Sequence, residues 1–182
     1  GAARDAFNRH SRTGLDRFKS LQEATTKELQ TAVKQCQDMI AKATGAEKET
    51  LIRGQSFLSR LQVLVDTLGS LWDPIQKKVK DNILFSEKAV AQTNSLFDRH
   101  AGLIRSLFDF VQTDNEFLKK FVAEEARKIV KDCADYADEH ETRLIEGLCT
   151  PQAAPIFLTL LDRFRSLAYQ EGEIVQILGG KA

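Results

Sequence analysis

Apolar residues recur every three or four positions along nearly the whole chain, and no segment alternates in the manner of a β-strand. This spacing places the apolar side chains on one face of a helix, so the pattern predicts an all-α protein. We expect about five long helices, at residues 3–44, 47–82, 86–112, 113–148 and 155–178. The connections are short, and neighbouring helices should therefore run antiparallel in a bundle.

Residues that begin, end or kink helices mark the expected boundaries. Gly45 should end the first helix as a C-cap, and Pro74 should kink the second helix near residue 73 because proline lacks a backbone donor. Ser86 is expected to cap the third helix. Thr113 and Glu116 have the spacing of a capping box, which predicts the start of the fourth helix.

Two short segments recur in the same order and at similar spacing. Residues 33–36 (VKQC) return as residues 130–133 (VKDC), and residues 57–61 (FLSRL) return as residues 157–161 (FLTLL). The offsets, 97 and 100 residues, predict two related helical-hairpin repeats, residues 1–112 and 113–182, the second lacking its third helix. An apolar strip that includes Leu160 and Ile174 should then be left for a partner to cover.

Composition narrows the class of protein. Lys plus Arg and Asp plus Glu both number 26, so the chain has no net field to attract nucleic acid. The three cysteines are widely spaced, which favours free thiols in a reducing compartment, with Cys36 and Cys133 in the core. The chain is long enough for one domain, 1–182, and its start at Gly1 suggests a piece of a longer membrane protein.

Three segments resemble motifs of a known helical family. Residues 61–71 occupy the place of a Leu-x-Arg-Ile-Gly-Asp-like helix, residues 83–88 resemble a Phe-Ser-x-x-Gly helix start without its glycine, and residues 157–168 occupy the place of a second Leu-x-Arg-Ile-x-Asp-like helix. The chain thereby resembles the PhoU-like family, whose fold has two three-helix repeats. It is most similar to the cytoplasmic C-terminal domain of bacterial sodium/phosphate cotransporter-like proteins.

This resemblance implies a regulatory or interaction domain without catalytic activity, involved in phosphate transport or its regulation. The expected location is cytoplasmic, at the inner face of the cell membrane. The expected partner is the membrane-embedded transporter portion of the same protein, or a second copy of the chain. The alternative hypothesis is a freestanding helical-bundle scaffold or adaptor unrelated to phosphate.

The family's metal sites also enter through this resemblance, which implies metal clusters bound by Glu/Asp-x-x-x-Asp pairs. In the second motif the corresponding positions hold Phe164 and Ala168, and in the first they hold Leu68 and Trp72. None of these side chains supplies the carboxylate oxygens that hard cations need. We therefore expect no metal and no cofactor.

Acidic residues on the fourth predicted helix offer one candidate site. Asp132, Asp135 and Glu139 share a face, joined by Glu125, and could form a weak cation site; the alternative is a solvated face. His140 beside them could be a metal ligand or a proton relay, although a surface histidine is the favoured interpretation.

Basic and aromatic residues offer a second candidate. Lys77, Lys78 and Lys80 form a small cluster that could contact anionic lipid headgroups or a transporter loop; the alternative is an ordinary solvated helix end. Phe108 and Phe110 cannot face the same way on one helix, so one of them should be exposed or covered by a partner.

Catalytic signatures are missing from the sequence. It contains no Gly-x-Ser-x-Gly turn, no Gly-rich phosphate loop after a strand, and no paired Glu-x-x-His motifs of the kind that hold two metals in a bundle. We therefore predict that the protein is not an enzyme, and the sequence identifies no small-molecule substrate.

Overall fold

The computed structural model describes residues 1–179, which form seven helices and no β-strand. The helices are α1 (Ala2–Arg9), α2 (Arg12–Ile40), α3 (Gly45–Gly69), α4 (Trp72–Lys80), α5 (Glu87–Thr113), α6 (Glu116–Ile145) and α7 (Ala154–Gly179). The prediction of an all-α protein is confirmed, and the arrangement is consistent with a helical bundle. No helix among these residues is both long and apolar enough to cross a membrane.

Helix α7 lies at the centre of the fold. It packs against α3, α4, α5 and α6, while α2 pairs with α3 as a hairpin. Leu160 and Ile174 of α7 are almost completely buried by these neighbours. The predicted apolar strip on these residues is therefore wrong, because α7 is an interior helix and does not lie at an open edge.

The first predicted helix is in fact two helices, α1 and α2. His10 adopts left-handed backbone angles (φ 51°, ψ 38°), and Ser11 caps α2 by accepting a hydrogen bond from the Gly14 N–H at 2.9 Å. Helix α1 folds back so closely that a Cβ on Gly14 would lie 3.0 Å from the Ala6 nitrogen. Gly45, with φ 58°, begins α3 and does not end the preceding helix, so that prediction is also wrong.

The interruption predicted at Pro74 lies a few residues earlier, as a break between α3 and α4. Pro74 sits in the first turn of α4 and has no N–H to donate to the carbonyl of Ser70. Ser70 and Leu71 keep right-handed helical angles, so the chain passes from α3 to α4 without a loop. The single kinked helix of the sequence prediction is thus divided at residues 70–71.

The predicted N-cap of α5 is confirmed, whereas the predicted N-cap of α6 is wrong. Ser86 caps α5, as predicted, by accepting from the Ala89 N–H at 3.4 Å. Helix α6 is capped by Asn115, which accepts from the Phe117 N–H at 2.9 Å. Thr113 is instead the last residue of α5, so the predicted capping box does not form.

The two hairpins do not follow the sequence repeat. Helix α6 ends at Ile145, and Gly147 (φ 72°) turns the chain after it. In the α2–α3 hairpin, Phe57 lies farther from the connecting turn than Cys36 does. In the α6–α7 hairpin the order is reversed, and Phe157 lies closer to the connecting turn than Cys133 does. The predicted superposition of Cys36 on Cys133 and of Phe57 on Phe157 is therefore wrong. The predicted stop at Gly180 lies outside the described residues.

Candidate functional site: an apolar groove between α2, α3 and α5

Two adjoining cavities form a continuous groove on one side of the bundle. Their volumes are about 220 and 300 Å³, and both are lined by Thr25, Val65, Leu68 and Ile104. Helix α3 and helix α5 each pack on α7, and the groove runs between them with α7 as its floor. Helix α2 forms the outer part of the α3 side. Below, this feature is called the α2/α3/α5 groove.

The cavity of about 220 Å³ is called the upper part of the groove, and the cavity of about 300 Å³ the lower part. The upper part is almost entirely apolar. Its walls and floor carry aliphatic and aromatic side chains from four helices: Leu29, Phe57, Leu61, Leu64, Val65, Leu68, Ile104, Leu107, Phe108, Val111 and Ile174. Thr25 is the polar exception, and its hydroxyl donates to the Leu21 carbonyl at 2.9 Å. A surface built this way has apolar area to bury and few polar groups to satisfy.

Phe108 stands at the mouth of the groove. Its exposed fraction is 53%, whereas that of Phe110, two residues later on α5, is 2%. The prediction that one of these two residues would be exposed is confirmed. Leu21 and Val111 are also exposed beside the groove, so large apolar side chains reach solvent on both of its walls.

Helix α1 closes the lower end of the groove. Gly1, Ala2 and Ala3 line the lower cavity. Arg4 fixes α1 to α5, because its Nε donates to Asn94 Oδ1 at 3.0 Å and its guanidinium forms an ion pair with Asp98. The groove is therefore open along α2 and α5 and blocked at one end by the chain's own first helix.

A buried acid–histidine pair lies beneath the lower cavity. His100 of α5 lines that cavity, and its Nδ1 lies 2.8 Å from Oε2 of Glu171 on α7. Burial raises the pKa of the Glu171 carboxyl, although His100 opposes this shift. His100 also stacks on Phe164, with ring centroids 5.4 Å apart. The pair joins α5 to α7 under the groove, and Phe164 and Ala168 are buried in the same core.

The candidate acidic face on α6 is divided by pairing with α5. Arg99 lies 2.6 Å from both Glu125 and Asp132, so one guanidinium bridges two carboxylates. Glu139 lies 3.1 Å from Lys88, and this hydrogen bond lowers the pKa of its carboxyl. Asp135 is exposed to solvent. Within residues 1–179, no three His, Cys, Asp or Glu side chains converge where they could hold a metal ion.

His140 is a core residue, so the surface interpretation is wrong. It continues the buried α6 stripe of Ile129 and Cys133 at helical spacing, a signal that was present in the sequence. Its ring packs on Phe157, with centroids 4.8 Å apart, and Cys149 Sγ lies 3.9 Å from Nδ1. Burial lowers the pKa of the His140 imidazole.

The basic cluster does not form one surface patch, because Lys78 is buried. Its Nζ donates to the Phe7 carbonyl at 2.9 Å and lies 3.0 Å from His10 Nε2. Burial lowers the pKa of Lys78 to about 8. Lys77 and Lys80 stay exposed, and Lys77 lies 3.9 Å from Asp81. The predicted lipid or partner contact through Lys78 is therefore wrong.

Comparison with known proteins gives no match: no protein-family model, no curated protein and no solved structure is similar to this chain. Functional inference therefore starts from the α2/α3/α5 groove. Sequence reasoning reached Phe108 through its conflict with Phe110. The helical spacing also places Leu29, Val65 and Ile104 on the apolar faces of their helices, but it predicts a core position for them and not a groove. They line one groove only because of how the helices pack.

Proposed function

We propose that the protein is a non-catalytic docking domain that binds a partner in the α2/α3/α5 groove. The groove itself is the observation that carries the proposal, since it combines concave shape with exposed apolar side chains on both walls. Clefts of this kind are the usual binding sites of proteins, and burying their apolar surface favours association.

The state of the titratable core residues supports the non-catalytic part of the proposal. Lys78, His100 and Glu171 each engage a backbone or side-chain partner that belongs to the packing of the helices. Burial raises the pKa of the Cys133 thiol to about 12, which keeps it protonated at neutral pH, and a thiol reacts as its thiolate. These groups stabilise helix contacts. Of the four, His100 lines the groove, and its Nδ1 is held there by Glu171.

The specific form of the proposal is the regulatory domain of a sodium/phosphate cotransporter-related protein, docked at the cytoplasmic face of its membrane-embedded portion. Its support is the PhoU-like resemblance of residues 61–71, 83–88 and 157–168. The scaffold or adaptor hypothesis uses the same groove with another partner. Sequencing the gene upstream of Gly1 separates them, because several encoded hydrophobic spans would favour the transporter domain.

A site-specific photocrosslinker tests docking in cells of the source organism. Benzoylphenylalanine replaces Phe108 in one variant and Phe117 in the other; Phe117 has an exposed fraction of 75% and lies at the start of α6, outside the groove. We expect a discrete crosslinked product with Phe108 and none with Phe117. No product at position 108, or the same products at both positions, would reject docking in the groove.

A further inference from the structure

Two side-chain nitrogen atoms meet where helix α1 ends. Lys78 Nζ, on α4, donates a hydrogen bond to the Phe7 carbonyl at 2.9 Å and lies 3.0 Å from Nε2 of His10. The same Nε2 lies 3.1 Å from the carbonyl oxygen of Ile83, in the connection between α4 and α5. These four residues therefore join the end of α1 to α4 and to the segment that follows α4.

The two contacts of His10 Nε2 need opposite proton states. An ammonium group only donates, so a charged Lys78 requires an Nε2 that accepts, with the ring proton on Nδ1. A carbonyl oxygen only accepts, so a hydrogen bond to Ile83 requires a proton on Nε2. Because Nε2 cannot do both at once, the protonation of Lys78 decides which of these two neighbours His10 bonds.

No acidic side chain compensates a positive charge at this pair. Within residues 1–179 no carboxylate forms an ion pair with Lys78, and its Nζ lies over the rings of Phe7 and Phe85, at 4.8 and 5.5 Å from their centroids. Burial is the cause that lowers the pKa of Lys78 to about 8. The charged groups on the surrounding elements are paired with one another or exposed: Arg4 with Asp98, Asp5 with Arg9, Lys77 with Asp81, Asp162 with Arg163 and Arg165, and the exposed Arg12, Asp16 and Lys80.

A second ring proton on His10 breaks the contact with Lys78. Doubly protonated imidazole donates from both nitrogens, so its Nε2–H faces an ammonium group that also only donates, and two positive charges lie 3.0 Å apart. Histidine is the side chain that ordinarily takes up a proton between pH 5 and 8. His10 must then move away from Lys78, and the end of α1 loses a contact that holds it.

We propose that Lys78 and His10 form a proton-operated latch at the end of α1, closed when Lys78 donates to a neutral His10 and opened when acidification gives His10 a second proton. At higher pH, once Lys78 has lost its own proton, His10 donates to Ile83 instead. Residues 1–4, at the start of α1, line the lower part of the groove, so the latch acts on the helix that closes this end. The inference goes beyond the docking function and does not depend on it.

Nitrogen-15 NMR of histidine-labelled protein reads these proton positions directly. The chain has three histidines, and the ring signals of His10 are assigned by their loss in His10→Asn. Asparagine tolerates the left-handed backbone angles of this position, so the turn should still form. In the wild type we expect the His10 proton on Nδ1 at pH 7 and on Nε2 at pH 9.5.

Two lysine variants show whether Lys78 controls this change of tautomer. Lys78→Met removes the ammonium group, so the His10 proton should lie on Nε2 at both pH values. Lys77→Met is the matched control, because Lys77 is exposed on the same helix and its loss should leave the wild-type change intact. A His10 tautomer that is the same at pH 7 and pH 9.5 in the wild type, or one that changes in Lys78→Met as it does in the wild type, would overturn the latch.

The methyl signal of Ala6 reports whether the latch opens, because Ala6 is fully buried and lies against Gly14 of α2. Between pH 7 and pH 5 this signal should shift together with the titration of the His10 ring, and in His10→Asn it should stay in place. An Ala6 signal that does not move in the wild type, or that moves equally in His10→Asn, would also overturn the proposal. If Lys78→Met displaces α1 already at pH 7, the wild type and His10→Asn decide between these outcomes.

Discussion

Lys78 illustrates how the tertiary structure gives a polar residue a task that its sequence neighbourhood does not suggest. It sits on the buried stripe of α4 with Ile75 and Val79, and its stem is packed among apolar side chains. Its Nζ reaches the carbonyl of Phe7, in the last turn of α1, where helical carbonyls lack intrahelical partners. Lys78 therefore acts as a side-chain cap for the end of α1.

The lowered pKa of Lys78 predicts a pH-dependent stability. The native pKa, about 8, lies below the ordinary lysine value of 10.5, so between these pH values the unfolded chain binds the proton that the native protein has released. Stability from this group therefore rises with pH across that window, by up to about 3 kcal/mol. Urea unfolding of wild type and Lys78→Met at pH 8, 9 and 10 should show wild type gaining relative to the variant.

Comparing wild type with the variant is necessary because Cys133, with its pKa raised to about 12, lowers stability as the pH rises above 9. That contribution is common to both proteins and cancels in the difference. Lys77→Met is the control, since Lys77 is exposed on the same helix, and its difference from wild type should be nearly flat. A flat difference for Lys78→Met would contradict the prediction.

Thiol accessibility provides a second test at the residue scale. Cys133 is buried with a raised pKa, Cys36 is buried on α2, and Cys149 is partly exposed. Iodoacetamide at pH 8 should therefore label Cys149 first, and the two buried thiols should follow only as fast as the protein opens. Mass spectrometry of the labelled peptides measures the order. In guanidinium chloride all three should react alike; native labelling of Cys133 as fast as Cys149 would contradict the burial.

At the scale of the element, local periodicity predicted the presence of helices more accurately than it predicted their boundaries. Ser86 was recognised because its cap is formed by residues of one turn. The reversal between α1 and α2 was missed because Phe7, Leu15 and Phe18 keep a helix-compatible spacing across it. The local signal at the reversal is Ser11, which caps α2 beside the left-handed His10. The close approach of Ala6 to Gly14 is a contact between two helices, which no single-helix pattern contains.

A pair of glycine substitutions tests that contact. Gly54 of α3 has open space around its missing side chain, so Gly54→Ala should stabilise the protein by about 0.5–1 kcal/mol through helix propensity. Gly14→Ala gains the same propensity but places a Cβ against the backbone of Ala6, and α1 must shift. We expect it to destabilise by about 1–3 kcal/mol in urea unfolding. Stabilisation by both substitutions would mean that α1 does not pack as described.

At the scale of the whole molecule, the groove depends on the order in which the other helices pack around α7. The sequence did not predict that order. The sequence repeat predicts that Leu160 and Ile174 lie on an exposed apolar strip of α7. In the structure both are buried, because α7 packs against four other helices, and the open groove lies between α3 and α5. Apolar residues such as Val65 and Ile104 have the same helical spacing whether they face a core or a groove. Only the packing decides which of them stay available to a partner.

The same packing predicts an uneven stability across the molecule. Between residues 28 and 60, only Cys36 and Ala43 are buried, whereas α7 is buried along most of its length. The outer half of the α2–α3 hairpin should therefore open without global unfolding, because few apolar contacts oppose it. Native-state hydrogen exchange should show faster exchange for the amides of residues 30–40 and 46–57 than for residues 160–175. Equal protection in both regions would contradict the prediction.

This opening also bears on docking, because the hairpin forms one wall of the groove. A partner docked in the groove would contact Leu29, Leu61 and Val65 and would add apolar contacts to the segment that has the fewest. Peptides selected from a displayed library for binding to the wild-type protein should slow exchange in residues 25–33 and 57–68 and leave that of α6 unchanged. In Phe108→Glu the same peptides at the same concentration should slow exchange less, since the opposite wall carries a charge. Equal slowing of exchange in α6 would mean that the peptide stabilises the fold as a whole and does not bind at the groove.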